Sequence, residues 1–108
     1  MAKLNQFVHF HLPDCEFRIP FVFKTDEEIQ DFVKLCDAVI QEDEYNFRWT
    51  EENSGTVYSL RVEDFVLVVS VKSTSGFSAE WKIDVTEDIQ MSYKETRENI
   101  AKAFPQNI

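Results

Sequence analysis

His9 and His11 are the only histidines of the chain, and their spacing could serve a metal ion. Residues two apart on a strand project from the same face, so a strand here would present both imidazoles together. Glu16 is the candidate for a third ligand, across a hairpin. No second histidine pair and no cysteine cluster completes a familiar zinc set. The pattern therefore favours the interpretation that both histidines lie on the surface, that His11 pairs with Glu16, and that no metal is bound.

Paired carboxylates are frequent, but their positions do not favour acid–base catalysis. A general acid needs burial to raise its pKa, whereas most of these pairs fall at predicted turns and helix ends, where water solvates them. The polar loop 72–76 could hold an anion, yet it lacks the glycine spacing and the following helix of a phosphate loop. With only two glycines, a backbone-lined cofactor site is also unexpected. We therefore expect no enzyme activity, no catalytic residue and no cofactor.

The length and charge of the chain narrow the function classes further. Its 108 residues suit one domain, and its 20 acidic against 11 basic residues give a net charge of −9. Nucleic-acid binding usually needs a basic face, so direct contact with nucleic acid is unexpected. No apolar run approaches the roughly 20 residues of a membrane span. Without a secretion segment, we expect a cytoplasmic protein in which Cys15 and Cys36 are buried thiols.

Two alternating segments at the start of the chain predict a hairpin. Residues 4–12 and 15–23 alternate between apolar and polar side chains, with a Pro13-Asp14 turn between them. A register that places Val8 opposite Ile19 sorts apolar and polar side chains onto opposite faces. Pro20 cannot donate to a ladder, so the second strand is expected at an edge or bulged.

Capping patterns predict two helices. Residues 25–28 form a capping box whose acids suit the helix dipole, and apolar residues then recur every three or four positions. The acidic run 42–44 predicts that this helix ends near Glu42, because carboxylates are unfavourable at a helix C-terminus. A second capping box at 92–95 predicts a final helix, which Pro105 ends.

Four alternating segments between the helices predict further strands. Their connections are a loop at 52–55, a short turn at 63–64 and a five-residue loop at 72–76, whose odd length keeps apolar residues on one face. The predicted cross-strand pairs are Trp49–Tyr58, Leu60–Leu67 and Leu67–Trp81. The element order is then β-β-α-β-β-β-β-α. This order predicts a single α+β domain, residues 1–108, with an antiparallel sheet and two helices packed on one face.

The opposite face of that sheet is expected to be polar, with two adjacent valines. Such a face is usually a solvated surface, but exposed apolar patches also mark interfaces, so a homodimer is the alternative. The residues of this possible oligomer face are Arg48, Arg61, Val66, Val68 and Lys82.

The excess of acidic over basic residues provides the leading hypothesis on function. Clustered carboxylates speed encounter with a basic protein and make binding depend on salt. This composition is similar to that of small acidic proteins that neutralise basic ones, such as toxin immunity proteins or phage inhibitors of nucleases. The simpler interpretation is that the charge only keeps the protein in solution. The predicted protein-binding residues are Asp31, Asp37, Glu42, Asp43, Glu44, Glu51 and Glu52.

The aromatic content supports an alternative hypothesis. Most of the 15 aromatic residues, 14% of the chain, fall at inward positions, where core packing explains them. The same residues could instead line a pocket for a small molecule between sheet and helices, in a binding protein or an enzyme. The residues expected around such a pocket are Phe47, Trp49, Leu67 and Trp81.

Overall fold

The computed structural model describes the backbone of residues 4–11 and 16–105, and within that range the side chains of Ile19 and of 21–105. The elements are β1 (Leu4–His11), β2 (Glu16–Phe23), α1 (Asp26–Gln41), β3 (Tyr45–Thr50), β4 (Val57–Glu63), β5 (Val66–Lys72), β6 (Ser78–Asp84) and α2 (Glu87–Ala103). The predicted α+β class and element order are confirmed.

The hairpin β1–β2 forms a two-stranded sheet of its own instead of extending the larger sheet. Its register is the predicted one and includes Val8 opposite Ile19. In the described structure β2 pairs with β1 alone, so Pro20 lies on an edge strand, as expected for a residue without an N–H group. The predicted Pro13-Asp14 turn and Cys15 lie outside the described residues.

The other four strands form an antiparallel sheet in the order β3-β4-β5-β6. The loop between β3 and β4 produces the predicted pairing of Trp49 with Tyr58. The two later pairings were predicted wrongly by two residues, since Leu60 and Trp81 both lie opposite Val69. A shift of two leaves every side chain on its predicted face, because side chains alternate along a strand.

Each shift originates in its own connection. The β5–β6 loop keeps its predicted length of five residues but runs over 73–77 and not 72–76, because Lys72 pairs with Ser78. The β4–β5 shift comes from the turn. Glu63 pairs with Val66, so the turn consists of Asp64 and Phe65. Both turn residues have positive φ, 51° and 64°. This is the region used by type I′ hairpin turns, which usually contain Asn-Gly or Asp-Gly. The sequence prediction placed Phe65 in the strand because residues 65–71 form an unbroken apolar run. A phenylalanine in left-handed backbone is uncommon.

Helix α1 begins and ends close to the predicted positions. The Thr25 hydroxyl oxygen accepts a hydrogen bond from the Glu28 backbone N–H at 3.2 Å, which confirms the cap. At the other end, Glu42 adopts the left-handed conformation with φ 62°, and its N–H donates to the Ala38 carbonyl oxygen. The helix therefore stops where the acidic run begins.

Helix α2 begins earlier than predicted. Its N-cap is Thr86, whose hydroxyl oxygen accepts from the Ile89 N–H at 3.4 Å, with Glu87 and Asp88 in the first turn. The expected cap residue Ser92 lies inside the helix instead. Several cap-like residues compete in this segment, and the earlier one permits an additional turn that brings Ile89 against the core.

An aromatic cluster joins the layers of the molecule. The Phe21 ring of β2 packs edge-on to Phe47 and Trp49 of the sheet and against Phe32 of α1, with ring centroids 5.1–5.8 Å apart. Phe32 itself packs on Phe47 at 5.4 Å. The hairpin and α1 therefore share one face of the four-stranded sheet, and α2 packs along α1. The expectation that aromatic residues fill the core is confirmed for these rings.

The Tyr93 side chain of α2 is buried, and its hydroxyl has no hydrogen-bond partner among the described residues. A buried hydroxyl without a partner costs about 1–3 kcal/mol. Tyr93→Phe is therefore expected to raise the free energy of unfolding by about 1 kcal/mol, measured by urea denaturation. Tyr45→Phe is the matched control: it removes a hydroxyl that donates to Asp31 and should lower stability. A loss of stability in Tyr93→Phe would contradict the conclusion that this hydroxyl is buried without a partner among the described residues.

The Cys36 thiol of α1 is buried and free, as predicted. Burial, with a smaller contribution from the Asp37 charge, raises its pKa from 9.0 to about 12. Because the folded protein holds this proton more tightly than the unfolded chain, the associated stability is present below pH 9.0 and is lost as pH rises toward 12. We expect urea stability to fall over that interval, and to fall less in Cys36→Ala. An equal fall of stability in both proteins would show that ionisation of the Cys36 thiol is not its cause.

Candidate functional site

One end of the four-stranded sheet gathers acidic residues from three connections. Because neighbouring strands are antiparallel, β3 and β5 begin at this end, and β4 and β6 finish there. The register places Tyr45 opposite Val62 and Val66 opposite Asp84, so adjacent connections lie roughly 5 Å apart. We call this region the acidic end. Its acidic residues are Glu42, Asp43, Glu44, Glu63, Asp64, Asp84, Glu87 and Asp88.

Hydrogen bonds hold the connections of the acidic end together. The Gln90 side-chain amide of α2 donates to the Val39 carbonyl oxygen at 3.2 Å and to the Glu42 carboxylate at 3.4 Å, near the C-terminus of α1. The Val85 N–H donates to the Phe65 carbonyl oxygen at 2.8 Å, which ties the β4–β5 turn to the segment that leads into α2. The three connections are therefore fixed relative to one another.

Little positive charge opposes the carboxylates of the acidic end. The ion pair seen there among the described residues joins Arg61 to Glu63, with 3.6 Å between nitrogen and oxygen. Asp43 and Glu44 are exposed, and the described structure shows no ion pair for either. The last turn of α1 contains no basic residue, so the negative end of its dipole adds to these charges. This region can attract a cationic surface.

Phe65 is exposed within the acidic end. Its side chain is 57% exposed, and its backbone lies in the left-handed region. For a residue with a Cβ atom, the left-handed conformation is roughly 1–2 kcal/mol less favourable than the right-handed one. Sequence reasoning missed this residue; the available signal was the Asp64-Phe65 pair between two strands, at the position where Asp-Gly is common.

The predicted protein-binding residues do not form one surface. Glu42, Asp43 and Glu44 lie at the acidic end. Glu51 and Glu52 follow β3 at its other end, and a six-residue strand separates the two groups by roughly 20 Å. The strand therefore divides the predicted surface in two.

Asp31 and Asp37 have partners within the chain. The Asp31 carboxylate accepts a hydrogen bond from the Tyr45 hydroxyl, and the Asp37 carboxylate accepts one from Arg97 of α2. Burial, together with the bond to Asp31, raises the pKa of Tyr45 to about 12. These two acids therefore join α1 to its neighbours and are less available to a partner than Asp43 and Glu44.

The possible oligomer face lies on the uncovered side of the sheet but offers little apolar area. Arg48, Arg61 and Lys82 are exposed there, and Val66 is half-buried. Val68 is only 5% exposed and lies between Arg61 and Lys82 on the neighbouring strands. The two valines therefore do not form an exposed patch together.

The residues expected around an aromatic pocket lie mostly in the packed core. Phe47 and Leu67 are at most 1% exposed. The Phe47 ring packs against phenylalanine rings of β2 and α1, with centroids 5.4–5.9 Å apart. Trp49 is 8% exposed and Trp81 is half-buried. Trp49 also borders a surface cleft.

The described residues contain neither a metal-ligand cluster nor a membrane-spanning helix. Within residues 19 and 21–105 we find no group of three or more His, Cys, Asp or Glu side chains that could hold a metal ion, and the side chains of His9 and His11 lie outside that part. None of the described helices is long and apolar enough to cross a membrane. No protein-family model, curated protein or solved structure matches the chain significantly.

Proposed function

We propose that this chain is a non-catalytic binding protein that engages a basic protein through its acidic end, as an inhibitor or an immunity-type protein does. The observation that carries the proposal is an exposed aromatic side chain, Phe65, among carboxylates that have few counter-charges. Such a surface combines long-range attraction with one apolar anchor. In this proposal the protein acts in the cytoplasm.

The carboxylates and Phe65 have different roles in this proposal. Concentrated negative charge accelerates encounter with a basic surface and makes the association rate depend on salt. An aromatic residue supplies binding energy at the centre of an interface, where water is excluded. Asp43 and Glu44 would attract the partner, and Phe65 would enter an apolar recess on it.

The stability of the fold alone does not explain why phenylalanine occupies position 65. The side chain is 57% exposed, so it contributes less hydrophobic free energy to folding than a core phenylalanine does. Its left-handed backbone would suit glycine better. A residue that strains the backbone without packing in the core is a candidate for binding.

The proposal can be tested by affinity capture with charge-matched variants. The wild type, an acidic-end variant (Glu42→Gln, Asp43→Asn, Glu44→Gln) and a control (Glu80→Gln, Glu95→Gln, Glu98→Gln) are immobilised and exposed to lysate of the source cells. The control removes the same number of carboxylates from exposed positions on the outer sheet face and α2. Retained proteins are identified at low and high salt.

We expect a basic protein that the wild type and the control retain at low salt and release at high salt. The acidic-end variant should retain much less of it, although all three proteins unfold at similar urea concentrations. Recovery of no protein, or of a partner that is indifferent to both salt and the acidic-end substitutions, would refute the proposal.

A further inference from the structure

A cleft of about 580 Å³ opens at the end of the sheet opposite the acidic end. Val22 of β2 and Trp49 of β3 form its apolar side. Its other walls are the residues that lead into α1 and the loop that follows β3. This volume lies in the range of small-molecule sites, and the apolar side with a polar rim is typical of them.

The rim of the cleft is predominantly negative. Among the residues that the structure describes, it contains one cation, Lys24, and three carboxylates. Lys24 forms an ion pair with Glu52, which joins the segment before α1 to the loop after β3. The carboxylates of the rim are Glu28, Glu51 and Glu52.

The loop wall is held in place by its own hydrogen bonds. The Glu51 carboxylate accepts from the Ser54 backbone N–H at 2.7 Å, from the Ser54 hydroxyl at 2.6 Å and from the Asn53 N–H at 3.0 Å. The Ser54 hydroxyl and the two backbone N–H groups lower the pKa of Glu51, so its negative charge persists at neutral pH. A ligand would therefore meet a wall that needs little further ordering.

We propose that this cleft binds a small organic cation that has an apolar body. The body would lie on Val22 and Trp49, and the ammonium or guanidinium group would meet the rim carboxylates. Lys24 would then act as an internal competitor, because its ammonium group already occupies Glu52. This inference is independent of the acidic end and of the basic partner proposed there.

Three ligands of similar shape and different charge test the proposal. Benzylammonium, benzyl alcohol and benzoate are titrated into a Trp81→Phe protein, in which Trp49 is the remaining tryptophan, and its fluorescence is followed. We expect saturable binding of benzylammonium, about tenfold weaker binding of the alcohol and no binding of benzoate. Equal affinity for the cation and the alcohol, or no saturation with the cation, would overturn the proposal.

Substitutions at the rim give a second test. Lys24→Met removes the competing cation and should tighten benzylammonium binding about tenfold, which corresponds to about 1.4 kcal/mol. Glu52→Gln should weaken it. Lys94→Met, the same charge change at an exposed site on α2, is the control and should leave affinity unchanged. If both lysine variants tighten binding equally, the effect comes from net charge, and the proposal that the ligand binds in this cleft fails. Circular dichroism verifies that each variant is folded.

Discussion

Phe21→Ala is expected to lower the free energy of unfolding by about 3–5 kcal/mol. The Phe21 side chain is 1% exposed, and five rings from the described part of the chain surround it at centroid distances of 5.1–6.3 Å. Its removal would leave a cavity where the hairpin, α1 and the sheet meet. The five rings belong to Phe23, Phe32, Phe47, Trp49 and Tyr58.

Urea denaturation followed by tryptophan fluorescence measures this effect. Phe77→Ala is the matched control, because its ring is 61% exposed and its loss should change stability by less than about 0.5 kcal/mol. Small domains are stable by only about 5–15 kcal/mol, so Phe21→Ala is expected to remove a large share of the total stability. Similar stability losses in the two variants would contradict the central position of Phe21.

Alternation of side chains was sufficient to predict most of the fold. The β1–β2 register follows from it because a shift by one residue would move apolar side chains to the polar face. Alternation cannot distinguish registers that differ by two residues, and the β4–β5 and β5–β6 pairings were wrong by that amount. The choice between them depends on which residues form the connection. In the β4–β5 turn, Phe65 is not a residue that turn preferences indicate.

The candidate sites were harder to predict because they combine distant segments. Glu42–Glu44 and Glu51–Glu52 are close in sequence, yet the length of β3 separates them. Conversely, Glu44 and Asp84 are distant in sequence but belong to the same end of one sheet. Sequence proximity was therefore a poor guide to a shared surface. The strand order, which the sequence did predict, would have been the better guide.

The turn residue Phe65 should show opposite effects on stability and binding. Phe65→Gly relieves the left-handed strain of roughly 1–2 kcal/mol but makes the unfolded chain more flexible, which costs about 0.5–1 kcal/mol. The net expectation is a gain of about 0.5–1 kcal/mol in the free energy of unfolding. Phe77→Gly, at an exposed site where φ is not positive, should bring no such gain.

The same substitution should weaken binding of the partner recovered by affinity capture. Loss of an aromatic anchor at an interface costs about 2 kcal/mol or more, so we expect Kd to rise roughly 30-fold or more in Phe65→Gly, measured by calorimetry. Phe77→Gly should leave Kd unchanged. A variant that is both more stable and a weaker binder is not explained by damage to the fold. If Phe65→Gly bound as tightly as the wild type, the strained turn would have no role in recognition. The carboxylates alone would then have to account for the binding of the partner.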